Sequence, residues 1–294
     1  MIALAFWGLT RSTFYTFESI RKHIFSQLPP HFVFVHTYSS NEPYLNERAN
    51  ESSSSIAPDY EHLHPYRVEI DDADETKLLL DLPRYHSQPD PWKTNYATVD
   101  NFVLAMYSKQ RVTEMVAKSG ITFSSVIFLR PDVRYLTSIK SFLHLVSPNT
   151  WVIPSFHNYN GFNDRFCIAS PTNYRAYGCV LALLLPYSKR KALHSETFYA
   201  EWAKTLRIEL VRIPFFFQRV RMSGETDPKD LFMDNAVRHV SAQPAHPQNV
   251  ELHDRVNRQL PVRSPVRHPF ALRFRDRVPF VGKPTGVVPF NVRI

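Results

Sequence analysis

The chain has 294 residues, 44% of them hydrophobic and 14% aromatic, with 35 Lys and Arg against 27 Asp and Glu for a formal charge of +8. Such a chain can bury a sizeable core, which excludes a wholly disordered chain and leaves room for one large α/β domain or two smaller ones. Two cysteines, Cys167 and Cys179, exclude a disulfide framework and a cysteine-built zinc site, and the basic balance suits an anionic partner such as a nucleotide, a phosphorylated sugar, nucleic acid or a membrane face.

Residues 2–7, IALAFW, read as a buried first strand. Gly8-Leu9-Thr10-Arg11-Ser12 turns out of it into a helix over 13–26, with Phe14, Phe17, Ile20 and Ile24 on one face. A strand passing through a short glycine turn into a helix aims backbone N–H groups at an anion, with the Thr10 hydroxyl and the Arg11 guanidinium beside them. The same pattern also serves as a plain tight connection. HFVFVH, 31–36, is the second strand, and 41–59 is a polar surface excursion. A third strand over 66–70 ends in Asp71-Asp72, read as a solvated strand end or as a contact to a nucleoside. Residues 82–95, rich in Pro, His and aromatics, form an irregular loop. The longest helical pattern covers 96–118, with Phe102, Met106, Val112, Met115 and Val116 as its apolar positions and Lys109 near its middle.

That helix delivers the chain to SSVIFLRPDVRY, 124–135, around which the rest is organised. Val126–Leu129 has the length and content of a strand buried on both faces, and it ends in Arg130-Pro131-Asp132. In an open α/β sheet, ligands sit beyond the carboxyl ends of the strands, so Arg130 and Asp132 fall where such a fold does its chemistry. Pro-Asp is also an ordinary turn opener, in which case Asp132 caps a turn.

A helix to about residue 146 and a strand over 151–154 come next. The segment HNYNGFNDRF, 157–166, is dense in hydrogen-bonding groups and rings around Gly161 and has the makings of a sugar-binding rim, with His157, Tyr159 and Asn163 facing the ligand. A strand over 165–169 follows, then helices over 173–185 and 197–206, the second capped by Ser195, and a strand over 208–217. Residues 243–294 carry many Pro and Arg with little periodicity. The division is one domain over 1–242 and an extension over 243–294, packed on it or trailing from it. G-x-G-x-x-G and G-x-x-x-x-G-K-[ST] are absent, no run reaches the length of a membrane span, and the first residues lack a basic leader. A cytoplasmic protein without a membrane span is the expectation.

With FWGLTRS, YSKQRV, FLRPDVRY, GFNDRF and HSETF in this order over 2–224, the chain resembles the GT-A class of nucleotide-sugar glycosyltransferases. It is more closely similar to the small glycosyltransferases of large DNA viruses that infect green algae. The resemblance implies an α/β, Rossmann-like, mostly parallel sheet flanked by helices. It also implies a nucleoside-diphosphate sugar donor (UDP-xylose first) and a glycan acceptor, as in the decoration of viral coat glycans. In this class a strand ends in Asp-x-Asp, whose carboxylates hold Mn²⁺ or Mg²⁺ against the donor diphosphate. Here Arg130 stands in the first place and Asp132 alone remains. Either Asp132 holds the metal, or Arg130 replaces it as the counter-charge. Gly8, Thr10, Arg11, Arg130 and Asp132 are the donor-binding candidates. Inverting transfer needs one base, for which Glu196, at a helix start, is the first candidate and Asp164 the second. Two other classes compete. A nucleic-acid-binding protein is disfavoured by scattered basic residues and the lack of a recognition motif; a non-catalytic sugar-binding protein of the same fold stays open.

Overall fold

The computed structural model of the chain describes residues 1–46, 50–234, 236 and 237, and the extension expected over 243–294 lies outside them. Six apolar residues make β1 (Ile2–Trp7), buried at every position as a strand covered on both faces must be. It leads through Gly8 into α1 (Thr13–His23) and β2 (His31–Ser39). Two short strands, β3 (Tyr44–Asn46) and β4 (Glu51–Ser53), pair antiparallel within the polar excursion and bury Glu51. Then come β5 (Arg67–Asp72), α2 (Ala73–Leu80), α3 (Ala97–Lys118), β6 (Ser125–Leu129), β7 (Val133–Tyr135), β8 (Thr150–Pro154) and β9 (Cys167–Ala169). The described chain closes with α4 (Tyr174–Gly178), α5 (Leu181–Ser188), α6 (Ser195–Leu206), β10 (Glu209–Ile213) and β11 (Phe217–Arg219).

The main sheet has seven strands in the order β10-β8-β9-β6-β1-β2-β5. Pairs β1–β2, β1–β6, β2–β5 and β8–β10 are parallel, and β9 alone runs antiparallel, between β6 and β8. Helices flank both faces, as the sequence leads one to expect. The alternation of a strand assigns the faces: Ala3, Ala5 and Trp7 join α3 to α6 in one core, while Leu4 and Phe6 join Ile20 and Ile24 in the other. Because β1 sends its successors to one side and β6 lies on the other, the strand order reverses at β1, and it is beyond the carboxyl ends at such a reversal that open α/β sheets bind ligands.

Several local expectations change. Phe14 is 69% exposed, so it leaves the buried stripe of α1. The helix expected after Tyr135 is only a 3₁₀ stretch, Lys140–Leu145. The helix over 173–185 breaks in two because Gly178 packs on α3, where a Cβ would meet Thr113 Oγ1 at 1.9 Å. The last strand breaks at Pro214, which has no N–H to give to a ladder, and β11 pairs with β7 instead. His194, not Ser195, caps α6, its Nδ1 accepting the Thr197 N–H. Asp72 caps α2 through the N–H groups of Asp74 and Glu75. No helix among the described residues is long and apolar enough to cross a membrane.

Candidate active site

At the carboxyl end of β1 the chain turns at Gly8, whose φ of +92° is a backbone state that side chains rarely adopt. Its N–H donates to Ser108 Oγ of α3 at 2.8 Å. The Arg130 guanidinium, leaving β6, lies against this glycine and 4.9 Å from the centre of the Trp7 ring. It grips Asp132 with two hydrogen bonds, Nε to Oδ1 at 2.8 Å and Nη2 to Oδ2. Arg11 approaches the same carboxylate at 3.8 Å. Asp132 is 3% exposed. Burial alone raises its carboxyl, but Arg130, Arg11 and Arg221 outweigh that and hold it below the usual carboxylate range. Arg11 also meets Glu51 at 3.1 Å and the Tyr44 hydroxyl, and Arg221 meets Glu51 at 3.7 Å and Asp227. Thr10 faces inward: its hydroxyl lies 3.2 Å from that of Thr37 and accepts the Asp59 N–H at 2.9 Å, so it ties the loop together.

These donors do not fit a divalent cation at Asp132. A hard cation wants several oxygen ligands. Here one carboxylate is already clasped by Arg130, with two further guanidinium groups close enough to shift it. Among the described residues no group of three or more His, Cys, Asp and Glu side chains is arranged to hold a metal.

The second half of the site is set by the direction of β9. Because β9 runs antiparallel to β6, with Cys167 opposite Phe128, the chain entering β9 meets the end of β6. That brings Asp164 within electrostatic reach of Arg130. Asn163 is fully buried, and its Oδ1 accepts the Arg165 N–H at 3.1 Å, closing a turn across Asp164. The Asp164 carbonyl accepts from Tyr177 Oη at 2.7 Å and from Lys109 Nζ at 3.1 Å. Its carboxylate is different. Asp164 is 5% exposed, yet among the described residues its side chain takes no hydrogen bond and no ion pair, while its charge bears on Arg130 and Lys109.

Glu196 is buried at 3% exposure and better supplied: it accepts from Ser195 Oγ at 2.7 Å and lies 3.5 Å from Arg165 and 3.6 Å from His194. Gly161 touches its backbone so closely that a Cβ would lie 1.8 Å from the Glu196 carbonyl oxygen. On the rim, His157, Tyr159 and Asn160 all hold positive φ, a strained arrangement that clusters at functional sites. His157 and Tyr159 stack with centroids 5.4 Å apart, and Tyr159 is 43% exposed. Burial, aided by Arg165, pushes the His157 imidazole down to about 4, so it is neutral at neutral pH.

A polar chain links this site to the next strand ends. His36 lies 2.8 Å from Ser108 Oγ through Nδ1 and 3.1 Å from Asp71 Oδ2 through Nε2, and Tyr107 Oη donates to Asp71 at 2.9 Å. The His36 hydrogen bond outweighs partial burial and, with Tyr107 and Arg111, holds Asp71 down at about 2. Asp71 is therefore an anchored side chain rather than a solvated strand end. The sequence reading missed Glu51, which sits in a polar stretch without any pattern, and gave Lys109 and Arg165 no role.

No family model and no curated protein matches the sequence. The structure is similar to that of mouse xyloside xylosyltransferase 1 in its apo form, at a TM-score of 0.39 and 11% sequence identity, covering 72% of this chain and 84% of that one. A similarity of this extent concerns the course of the chain and says nothing of donor, acceptor or reaction.

Proposed function

We propose that the chain transfers a glycosyl group from a nucleoside-diphosphate donor, a UDP-sugar first, to an acceptor hydroxyl, without a bound metal. The observation that carries this reading is the Asp164 carboxylate, which sits on a residue only 5% exposed, takes no hydrogen bond or ion pair among the described residues, and acts electrostatically on the Arg130 guanidinium. A carboxylate with little exposure and no protein partner, next to a guanidinium at a strand end, is a candidate for chemistry. In the proposed step the acceptor oxygen bonds to the anomeric carbon as the bond from that carbon to the diphosphate oxygen breaks. The acceptor proton passes to Asp164. The charge that develops on the leaving diphosphate is met by Arg130 and Arg11 in place of a cation. Tyr159 offers an exposed ring to a sugar face on the acceptor side.

A second reading, binding without transfer, draws on the pairing of Arg130 with Asp132 and of Arg11 with Glu51, which leaves neither arginine a free charge. A screen of UDP- and GDP-sugars, UDP-xylose included, separates the two by release of nucleoside diphosphate in chelator and in Mn²⁺. Release in chelator is the expected result, with turnover falling about 10²–10⁴-fold in Asp164→Asn while UDP binding holds. Binding of UDP with no release from any donor favours the second reading. Release only with Mn²⁺ overturns the metal-free assignment.

A further inference from the structure

Lys109 is the one lysine in the buried core of the described residues, with 0% exposure, halfway along α3. Its ammonium group has no carboxylate within ion-pair distance among those residues. It lies instead 4.2 Å from the centre of the Trp7 ring, 4.5 Å from Tyr199 and 4.6 Å from Tyr177. Its two hydrogen-bond acceptors, the Asp164 carbonyl and Tyr199 Oη, are both neutral and both at 3.1 Å. A lysine needs only two of its hydrogens for those bonds, so a neutral amine satisfies them as fully as an ammonium does. Trp7 carries Arg130 as well, with its guanidinium 4.9 Å from the same ring. One indole thus joins two cationic groups, one of them the proposed counter-charge of the diphosphate.

We infer that Lys109 is a positioning residue whose protonation is coupled to the donor: it fixes the backbone of Asp164 and takes up a proton when an anion binds against Arg130. The inference rests on the donor site proposed above. The charged and titratable groups around the amine come from every element packed on it: Arg130 from the end of β6, Asp164 and Arg165 from the loop, Cys167 from β9, Tyr177 from α4 and Tyr199 from α6. Burial disfavours its cation most, and Arg130 and Arg165 add to that, while Asp164 and then Cys167 favour it. The balance is near even, with the amine pushed down to about 7. A diphosphate at Arg130 adds negative charge and tips the balance toward the ammonium form. Uptake is then greatest at a pH above the resting value and below the bound one. It vanishes in acid, where the amine is already charged, and in strong base, where neither state holds the proton.

The test is titration calorimetry of the full chain with UDP-glucose, whose diphosphate diester has no proton of its own to exchange near neutrality, in buffers of different ionisation enthalpy. It is joined by ¹³Cε-lysine NMR of the free and bound protein. About 0.4 proton or more should be taken up per UDP-glucose at about pH 8, falling toward zero at pH 6. The NMR signal missing in Lys109→Gln should titrate near neutrality and move upward by at least about one pH unit on binding. Lys109→Gln, which keeps a donor for the Asp164 carbonyl, should bind UDP-glucose without uptake. Lys109→Met serves the same comparison if the amide packs poorly, and the wild-type uptake needs neither. UDP-glucose binding without uptake, or a Lys109 signal that does not titrate near neutrality, overturns the inference and leaves the donor site standing. Failure of UDP-glucose and of every other UDP- and GDP-sugar in the screen to bind overturns both.

Discussion

Asp132→Asn separates the arginine-built donor site from a metal-built one. In the wild type the carboxylate takes two hydrogen bonds from Arg130 and lies 3.8 Å from Arg11. Removing one partner of a buried ion pair costs about 3–5 kcal/mol, because the other charge is left uncompensated. Asparagine keeps one acceptor oxygen for Arg130, which places the loss near the low end, about 3 kcal/mol. For a chain of this size each kcal/mol moves the unfolding midpoint by roughly 2–4 °C, so thermal unfolding should show a fall of about 6–12 °C. Binding should behave in the opposite way. With its internal counter-ion gone, Arg130 is free to meet a diphosphate, and the affinity for UDP measured by calorimetry in chelator should hold or rise. An unchanged midpoint would mean the ion pair is not what stabilises the strand end. Loss of UDP binding together with loss of any response to Mn²⁺ would refute the reasoning, since that is the behaviour of a metal ligand.

Glu196→Gln keeps the Ser195 hydrogen bond, so turnover should stay within about tenfold of wild type if Asp164 is the base; a fall of about 10²–10⁴-fold would hand the role to Glu196. Gly161→Ala places a Cβ against the Glu196 carbonyl, and the two segments must part; such overpacking costs about 1–3 kcal/mol and should lower turnover more than UDP affinity, read from a kcat and Kd comparison. Asp71 contributes a pH-dependent stability. Its folded value of about 2 lies below the ordinary 3.8, so its contribution is full above the ordinary value and is lost as pH falls through the folded one. The difference in unfolding midpoint between wild type and Asp71→Asn should therefore be greatest at neutral pH and shrink below about pH 4; a constant difference down to pH 2 would count against the His36–Asp71 pair.

The strands that carry the site were legible because their signal is strong. IALAFW, HFVFVH and SVIFL are short, largely apolar and bounded by turns, and all three are central strands. The long helix was legible for the same reason, and its spacing already held Lys109: positions 102, 106, 109, 113 and 116 share one face, so a lysine lay on the apolar stripe. What sequence could not supply was direction. The segment before Cys167 reads as the start of a strand whichever way that strand runs, and only the antiparallel pairing with β6 brings Asp164 to Arg130. Arg130-Pro131-Asp132 pointed to the site, but not to the clasp between its first and third residues. The role of Glu51 depends on contacts with Arg11 and Arg221 that no local pattern announces.

The central place of β1 bears on how the chain is made. One edge of β1 pairs with β2, which follows soon after in sequence, but its other edge pairs with β6, with Ile2 opposite Ser125 and Phe6 opposite Leu129. On a ribosome adding roughly 5–20 residues per second, that edge waits on the order of 6–25 s for its partner. Throughout that interval the nascent chain displays an apolar strand with an open row of backbone donors and acceptors, the kind of edge that recruits other chains. The sheet can close only when α3 and β6 have emerged, so synthesis rate and early chaperone capture, more than the stability of the finished fold, should govern how much soluble protein a cell obtains.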